Sequence, residues 1–265
     1  MTVAQVFAWY VAHELRRYSP KALKERRRVW DKFAAYVGAK PVAECNAAML
    51  LDFISTEKGL KSNWSRKRFA ATINRPMNEA AQLGLIPRNP FRGLRIPEGP
   101  QGRDWTPQEY AEVLRLASPE FRRFVVFLRY SGCRPGEARE LEWQHVRDDL
   151  GVLVKVEHKT AYTGCGPRRI HYNSVLVKLL AWLRRHSQSR YVFTNSNGNQ
   201  WTTEALVKAL QRIRVKAGLD GSTKLHGCRH TFATHALVNG VDLATLAELL
   251  GHRSTKSTER YLHLA

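Results

Sequence analysis

The sequence predicts a mainly α protein in two parts: a helical amino-terminal module and a carboxy-terminal α+β unit carrying a small antiparallel β-sheet. Three observations predict it. Helix signals run in series through residues 3–83. The stretch IPRNPFRGLRIPEGPQGR then breaks the pattern with Pro87, Pro90, Pro97, Pro100 and three glycines. Beyond it, among further helical segments, two short runs, GVLVKVEH and RRIHY, read as strands flanking a turn at Tyr162 to Gly166.

In the first part, Val6 and Tyr10, and Ala8, Val11 and Leu15, recur at helical spacing. Pro20 suits the first turn of a second helix reaching about Val37, and Asn46 can cap the run AAMLLDFIS. A further helix is expected from Asn63 to near Gly84. Two basic stripes lie on these helices, Lys21, Lys24 and Arg28 on one and Arg66, Lys67 and Arg68 on the other. Either is a solvated helix face or a track for a phosphate backbone. The expected organisation is a helical module at 1–90, a linker at 91–102 and a second unit at 103–265.

That second unit opens on Thr106-Pro107-Gln108-Glu109, where Thr106 can cap, Pro107 can occupy the first helical position and Glu109 can complete a capping box. Helices are expected at about 107–117 and 120–130 and from Pro135. After the two strands they return at about 174–186, 203–217, 227–239 and 243–250, the last stopped by Gly251. Ser254 or Thr255 can cap a short final helix bearing Tyr261, whereas Tyr130, in the apolar run RFVVFLRY, is expected in the core.

Charge narrows the partner. The chain has 43 Lys and Arg against 23 Asp and Glu, net +20, and residues 1–100, with 18 basic and 8 acidic side chains, carry half of that excess. A balance this basic in both halves expects a polyanion. No stretch approaches the roughly 18 apolar residues of a membrane-spanning helix, and the amino terminus lacks a basic lead-in and a cleavage site. Cys45, Cys133, Cys165 and Cys228 form no CxxC pair and read as free thiols in a reducing cytosol.

The densest polar cluster is LHGCRHTFATH, Leu225 to His235. A zinc-protease helix would need HExxH; here the stretch reads HGCRH, and Arg229 would set a positive charge beside an ion, so no metal is expected. Phe232 and Leu237 suit a core face. His226 and Arg229, three apart at a helix start, can instead address one anion, helped by the helix dipole. Upstream, RYSGCRPGEARELEW places Arg134 after Gly132 and before a helix carrying Glu137, which could accept from a guanidinium or cap backbone amides. Downstream, LLGHRSTKSTERYLHLA sets Tyr261 nine residues after His252.

Taken together, GCR, a lysine in a strand turn, HxxR, GH and a late tyrosine make residues 103–265 resemble the catalytic domain of the tyrosine recombinases, the phage integrase family. The resemblance implies that Arg134 and Arg229 are the catalytic arginines and Tyr261 the nucleophile. Lys159, in HKT, matches the acid that protonates the leaving 5′ oxygen. His226 matches a proton-transfer or hydrogen-bonding partner, His252 a donor to the non-bridging oxygen, and Glu137 a supporting acid. It also implies that the amino-terminal helices are a core-binding module, closing a C-shaped clamp on duplex DNA with the basic stripes against backbone.

That chemistry is independently reasonable. A tyrosine with a pKa near 10 is a poor nucleophile, so attack on a phosphodiester needs charge stabilisation and a route for its proton. Two guanidinium forks suit bidentate phosphate contact. The expected product is a 3′-phosphotyrosyl link and a free 5′ hydroxyl, made without cofactor or metal and reversible onto another strand. The resemblance further implies a tetramer on two duplexes, acting in the cytoplasm at the nucleoid. Many relatives carry a segment after the nucleophile that docks on a neighbouring subunit, whereas only Leu262 to Ala265 follow here. Either the chain is shortened or it assembles through other surfaces, and monomers are expected when it is free. Two other readings remain open: a type IB topoisomerase-like enzyme and a non-cleaving DNA-binding module.

Overall fold

The structure, a computed structural model, describes residues 1–14, 18–99, 102–155, 167–252 and 254–264. The chain divides into two compact units, Met1–Pro100 and Gln101–Ala265.

Among the described residues the first unit has four α-helices: α1 (Val3–Glu14), α2 (Pro20–Val37), α3 (Ala47–Thr56) and α4 (Asn63–Gln82). Local chemistry sets their starts, since Ser19, Asn46 and Ser62 each accept a backbone N–H of the first turn and Pro20 needs no donor there. Val6, Tyr10, Trp30, Phe33, Leu50, Phe53, Ile73 and Met77 fill the core. Trp30 buries its indole because Nε1 donates to the Thr72 carbonyl at 2.9 Å.

Both basic stripes are exposed, but they differ in company. Lys21, Lys24 and Arg28 on α2 make no ion pair among the described residues. On α4, Lys67 pairs with Glu98 at 2.7 Å, Arg68 lies 3.8 Å from Glu25, and Arg66 donates to the Leu60 carbonyl.

The second unit begins with α5 (Pro107–Leu116), whose capping box forms as expected, followed by α6 (Pro119–Ser131) and the short α7 (Pro135–Arg139). A three-stranded antiparallel sheet comes next, β1 (Val146–Arg147), β2 (Val152–Lys155) and β3 (Arg168–His171), in the order β1-β2-β3. Val152 faces His171 and Lys155 faces Arg168. Then come α8 (Ser174–His186), α9 (Thr203–Ala217), α10 (His226–Val238) and α11 (Leu243–Leu250). Phe121, Phe124, Phe127, Leu128, Leu153, Leu176, Phe193 and Leu210 form the main core, while Ala233, Leu246, Leu250 and Tyr261 form a second, smaller cluster.

Two expectations need correction, and one strand was not expected. Tyr130 is 37 % exposed: Phe124, Phe127, Leu128 and Ser131 share the buried face of α6, and 3.6 residues per turn put Tyr130 off it. The final segment is not one helix capped by Ser254 or Thr255 but two 3₁₀ segments, Thr255–Ser257 and Glu259–Leu264, and the Ser254 side chain makes no capping bond. Tight three-residue bonds, Thr258 N–H to the Thr255 carbonyl and Tyr261 N–H to the Thr258 carbonyl, set its pitch. Strand β1 was not foreseen, because two residues carry no alternation to read.

Candidate active site

The site is assembled at two glycine-stopped helix ends. Gly132 ends α6 in the left-handed conformation, φ 61°, and the Phe232 ring lies 2.5 Å from where a Cβ would stand. The chain then turns through Cys133 and Arg134 into α7. Glu137 binds that turn twice, accepting the Arg134 backbone N–H at 3.2 Å and its Nη1 at 2.6 Å. Burial acts to raise the Glu137 pKa, but the charges of Arg134 and Arg168 and the Arg134 hydrogen bonds outweigh it, leaving the carboxyl below its ordinary value.

The second end is that of α11, which Gly251 closes at φ 65°. The last carbonyls of a helix have no intrahelical donor and carry the negative end of its dipole. Here three arginines supply donors. Arg168, from β3, reaches the Glu248 carbonyl at 3.3 Å and the Leu249 carbonyl at 2.5 Å. Arg229, from α10, reaches Leu250 at 2.7 Å, and Arg134 reaches Gly251 at 3.4 Å. Gly251 has no room for a side chain, since a Cβ would lie 2.8 Å from Arg168.

Arg229 is 1 % exposed, with Nη1 donating to the Gly132 carbonyl at 2.8 Å and Nη2 also donating to His252 Nε2 at 2.8 Å. Burial and the neighbouring Arg134 pull its pKa down to about 10, which still leaves it charged at neutral pH. His252 must therefore accept at Nε2, so its hydrogen sits on Nδ1, 2.8 Å from the Thr258 hydroxyl. Burial, Arg229 and Arg134 hold His252 down to about 4.

His226 opens α10 with its ring accessible. Partial burial, His230 and the arginines lower its pKa, an effect that its solvent-facing edge screens. The expected help from a helix dipole is weaker than the sequence implied. Leu225, before the helix, is already helical, and the N–H groups of Gly227 and Cys228 are taken by the Lys224 and Leu225 carbonyls. Arg134, Glu137, Glu140, Lys155 and His226 line one open groove of about 1210 Å³. Tyr261 is 3 % exposed, and its hydroxyl lies 2.7 Å from His230 Nδ1.

The structure thus brings together Arg134, Glu137, His226, Arg229, His252 and Tyr261. Lys159 and Cys165 lie outside the described residues, and Cys45, Cys133 and Cys228 are buried free thiols. Sequence reasoning missed three participants. Arg168 was read only as part of a strand, Thr258 carried no signal, and His230 was weighed only as a metal ligand.

Residues 106–265 match the model of the phage integrase family. The chain belongs to the phage integrase family. It is a site-specific tyrosine recombinase, and relatives at two levels of likeness agree. A tyrosine recombinase XerC of Lactobacillus leichmannii is 25 % identical over 100 % of this chain and 95 % of its own length. One from Oceanobacillus iheyensis is 40 % identical over 68 % of this chain and 64 % of its own. Among solved structures, the Tn1549 transposon integrase in complex with a circular intermediate DNA superposes with TM-score 0.82 at 17 % identity, covering 98 % of this chain and 95 % of that one. A lambda integrase tetramer bound to a Holliday junction gives 0.77 at 17 %, covering 98 % and 77 %. The family's mainly helical fold with a small antiparallel sheet is the fold of this recombinase. No helix among its described residues is long and apolar enough to cross a membrane.

Proposed function

We propose that this recombinase cleaves and rejoins duplex DNA through a 3′-phosphotyrosyl intermediate on Tyr261. One observation carries the reading. Two arginines, two histidines and a tyrosine from four separate segments converge where Arg134 and Arg229 concentrate positive charge. Tyr261 attacks the scissile phosphorus, Arg134 and Arg229 take up the charge growing on the non-bridging oxygens, and the 5′ oxygen leaves with a proton from Lys159. Glu137 holds the Arg134 fork.

His252 enters this scheme in the wrong tautomer and needs a switch. Its Nε2 now accepts from Arg229, so it cannot donate to a phosphate oxygen. When a phosphate oxygen takes over the Arg229 hydrogen, the imidazole can release its Nδ1 hydrogen to water and take one up at Nε2, with the Thr258 hydroxyl turning from acceptor to donor at Nδ1, so that Nε2–H is free to donate.

Strand exchange needs two duplexes and several active sites, which supports a tetramer on DNA, with monomers when free. The amino-terminal unit grips the backbone through its basic helices, at residues 1–90 with a linker at 91–102, and the chain works at the nucleoid in the cytoplasm. The relatives' name, tyrosine recombinase, favours exchange over a topoisomerase-like relaxation.

The test is covalent trapping. The protein is mixed with a randomised duplex library carrying one 5′-bridging phosphorothiolate, whose thiol leaving group does not rejoin. A denaturant-resistant adduct should form, and peptide mapping should place it on Tyr261. An adduct on any other residue defeats the assignment.

A further inference from the structure

His230 has no place in the scheme above, yet it is the side chain in hydrogen-bond contact with the Tyr261 hydroxyl, Nδ1 to Oη at 2.7 Å. It follows Arg229 on α10 and is therefore turned about 100° around the helix from it. The imidazole is held from several sides. The Tyr261 ring lies 5.6 Å away, centroid to centroid, and the His226 ring packs edge-on at 5.1 Å and 74°. On the remaining side Gly102 leaves no slack, because a Cβ there would sit 2.7 Å from Nε2. Tyr261 is fixed in turn by packing with Ala233, Leu246 and Leu250.

The direction of the hydrogen bond follows from the surroundings. Burial, Arg260 and Arg229 hold the His230 pKa down to about 4, and burial raises that of Tyr261. Both groups are neutral at neutral pH, so the phenol is the donor, Nδ1 the acceptor, and the imidazole hydrogen lies on Nε2.

We propose that His230 positions the Tyr261 hydroxyl for attack and receives its proton, an inference that rests on Tyr261 being the nucleophile. As the Oη–P bond forms, the Oη hydrogen passes to His230 Nδ1, giving an imidazolium with hydrogen on both nitrogens. The P–O5′ bond breaks, its electron pair stays on the 5′ oxygen, and that oxygen takes a proton from the Lys159 ammonium. Rejoining runs the same transfers backwards. A weak base is acceptable here because it is strengthened when needed: the phosphodiester anion entering beside Arg229 offsets the positive field that otherwise disfavours imidazolium.

The experiment uses the full chain and the phosphorothiolate library, whose thiol leaving group needs no acid. His230→Leu keeps a comparable volume without an acceptor, His230→Asn puts an amide oxygen near the place of Nδ1, and Tyr261→Phe is the control. Adduct formation should slow by on the order of 10²-fold or more in H230L, recover only in part in H230N, whose amide oxygen accepts the hydrogen bond but cannot take the proton, and vanish in Y261F, with duplex binding unchanged in all three. Nitrogen-15 spectra of the parent at neutral pH should show Nδ1 of His230 without hydrogen, and its resonance should move in Y261F.

Adduct lost in Y261F but formed at the parent rate in H230L overturns the role of His230 alone. So does faster adduct formation in H230L, which a restraining latch would give. Adduct persisting in Y261F overturns the nucleophile reading and this inference with it. If H230L does not fold, the spectrum of the parent still decides: hydrogen on Nδ1 at neutral pH overturns the proposal.

Discussion

Arg229 and His252 are joined by a hydrogen bond in which the guanidinium is the donor, Nη2 to Nε2 at 2.8 Å, and the same Nη2 also serves the Leu250 carbonyl at 2.7 Å. One side chain therefore supports a helix end and sets the tautomer of its neighbour. Losing it should damage stability and chemistry together.

Replacing Arg229 with alanine should lower the unfolding free energy by roughly 2–4 kcal/mol, because the buried Gly132 and Leu250 carbonyls lose their donor. Cleavage should fall by about 10² to 10³-fold, the scale for losing one transition-state donor. Arg229→Lys should restore part of the stability but little of the cleavage, since one ammonium cannot reproduce a fork reaching Gly132, Leu250 and His252. Urea unfolding and single-turnover cleavage measure the two effects separately. Parent-level cleavage in R229K would defeat the argument.

Thr258 provides a finer test of the tautomer switch. It is fully buried and partners His252 Nδ1. Thr258→Val keeps the shape and removes the hydroxyl, so His252 loses the group that can both accept and donate. Cleavage should drop by about tenfold, corresponding to roughly 1.4 kcal/mol, while Thr258→Ser stays close to the parent. Equal rates in the valine and serine proteins would show that His252 needs no switching partner.

Much of this site was legible because its pieces are local. GCR before Pro135 reads as a helix stop and restart, and Glu137 three residues on can reach back to Arg134, as it does. Thr106, Pro107 and Glu109 spell out their own capping box. What was hidden depends on contacts distant in sequence. Arg168 meets Leu249 across 81 positions and His230 meets Tyr261 across 31, and neither pair leaves a periodic trace. Tyr130 misled because an apolar run says that a helix is buried without saying which of its faces is.

Acid should weaken the fold before it reaches the carboxylate range. His230 titrates near 4 in the folded chain against an ordinary 6.5, so between those values the unfolded chain binds more protons. Its contribution, on the order of 3 kcal/mol, is complete above pH 6.5 and is lost as pH falls towards 4; His252 adds in the same direction. Urea midpoints for the parent should decline through that window, and His230→Asn should flatten the decline. A midpoint independent of pH between 6.5 and 4 would contradict the buried neutral histidines. A further loss is expected below it, where Glu109, held at about 2 by its Arg103 hydrogen bond, takes up its proton.

The two basic stripes should not contribute equally to DNA binding. Releasing condensed counterions from DNA requires cations that are not already neutralised, and each phosphate contact adds about 0.9 to the slope of log K against log salt. Lys67 and Arg68 have Glu98 and Glu25 within 4 Å, whereas Lys21, Lys24 and Arg28 have no ion pair among the described residues. Changing all three α2 residues to glutamine should therefore reduce the salt slope by about 2 to 3, and changing Lys67 and Arg68 should reduce it by less per charge removed. Because backbone contacts carry no sequence information, the loss should be similar on unrelated duplexes. Titrations at four salt concentrations on two unrelated duplexes settle it: an unchanged slope in the α2 triple variant removes that helix from the interface, and a loss confined to one duplex makes it a reader of bases instead.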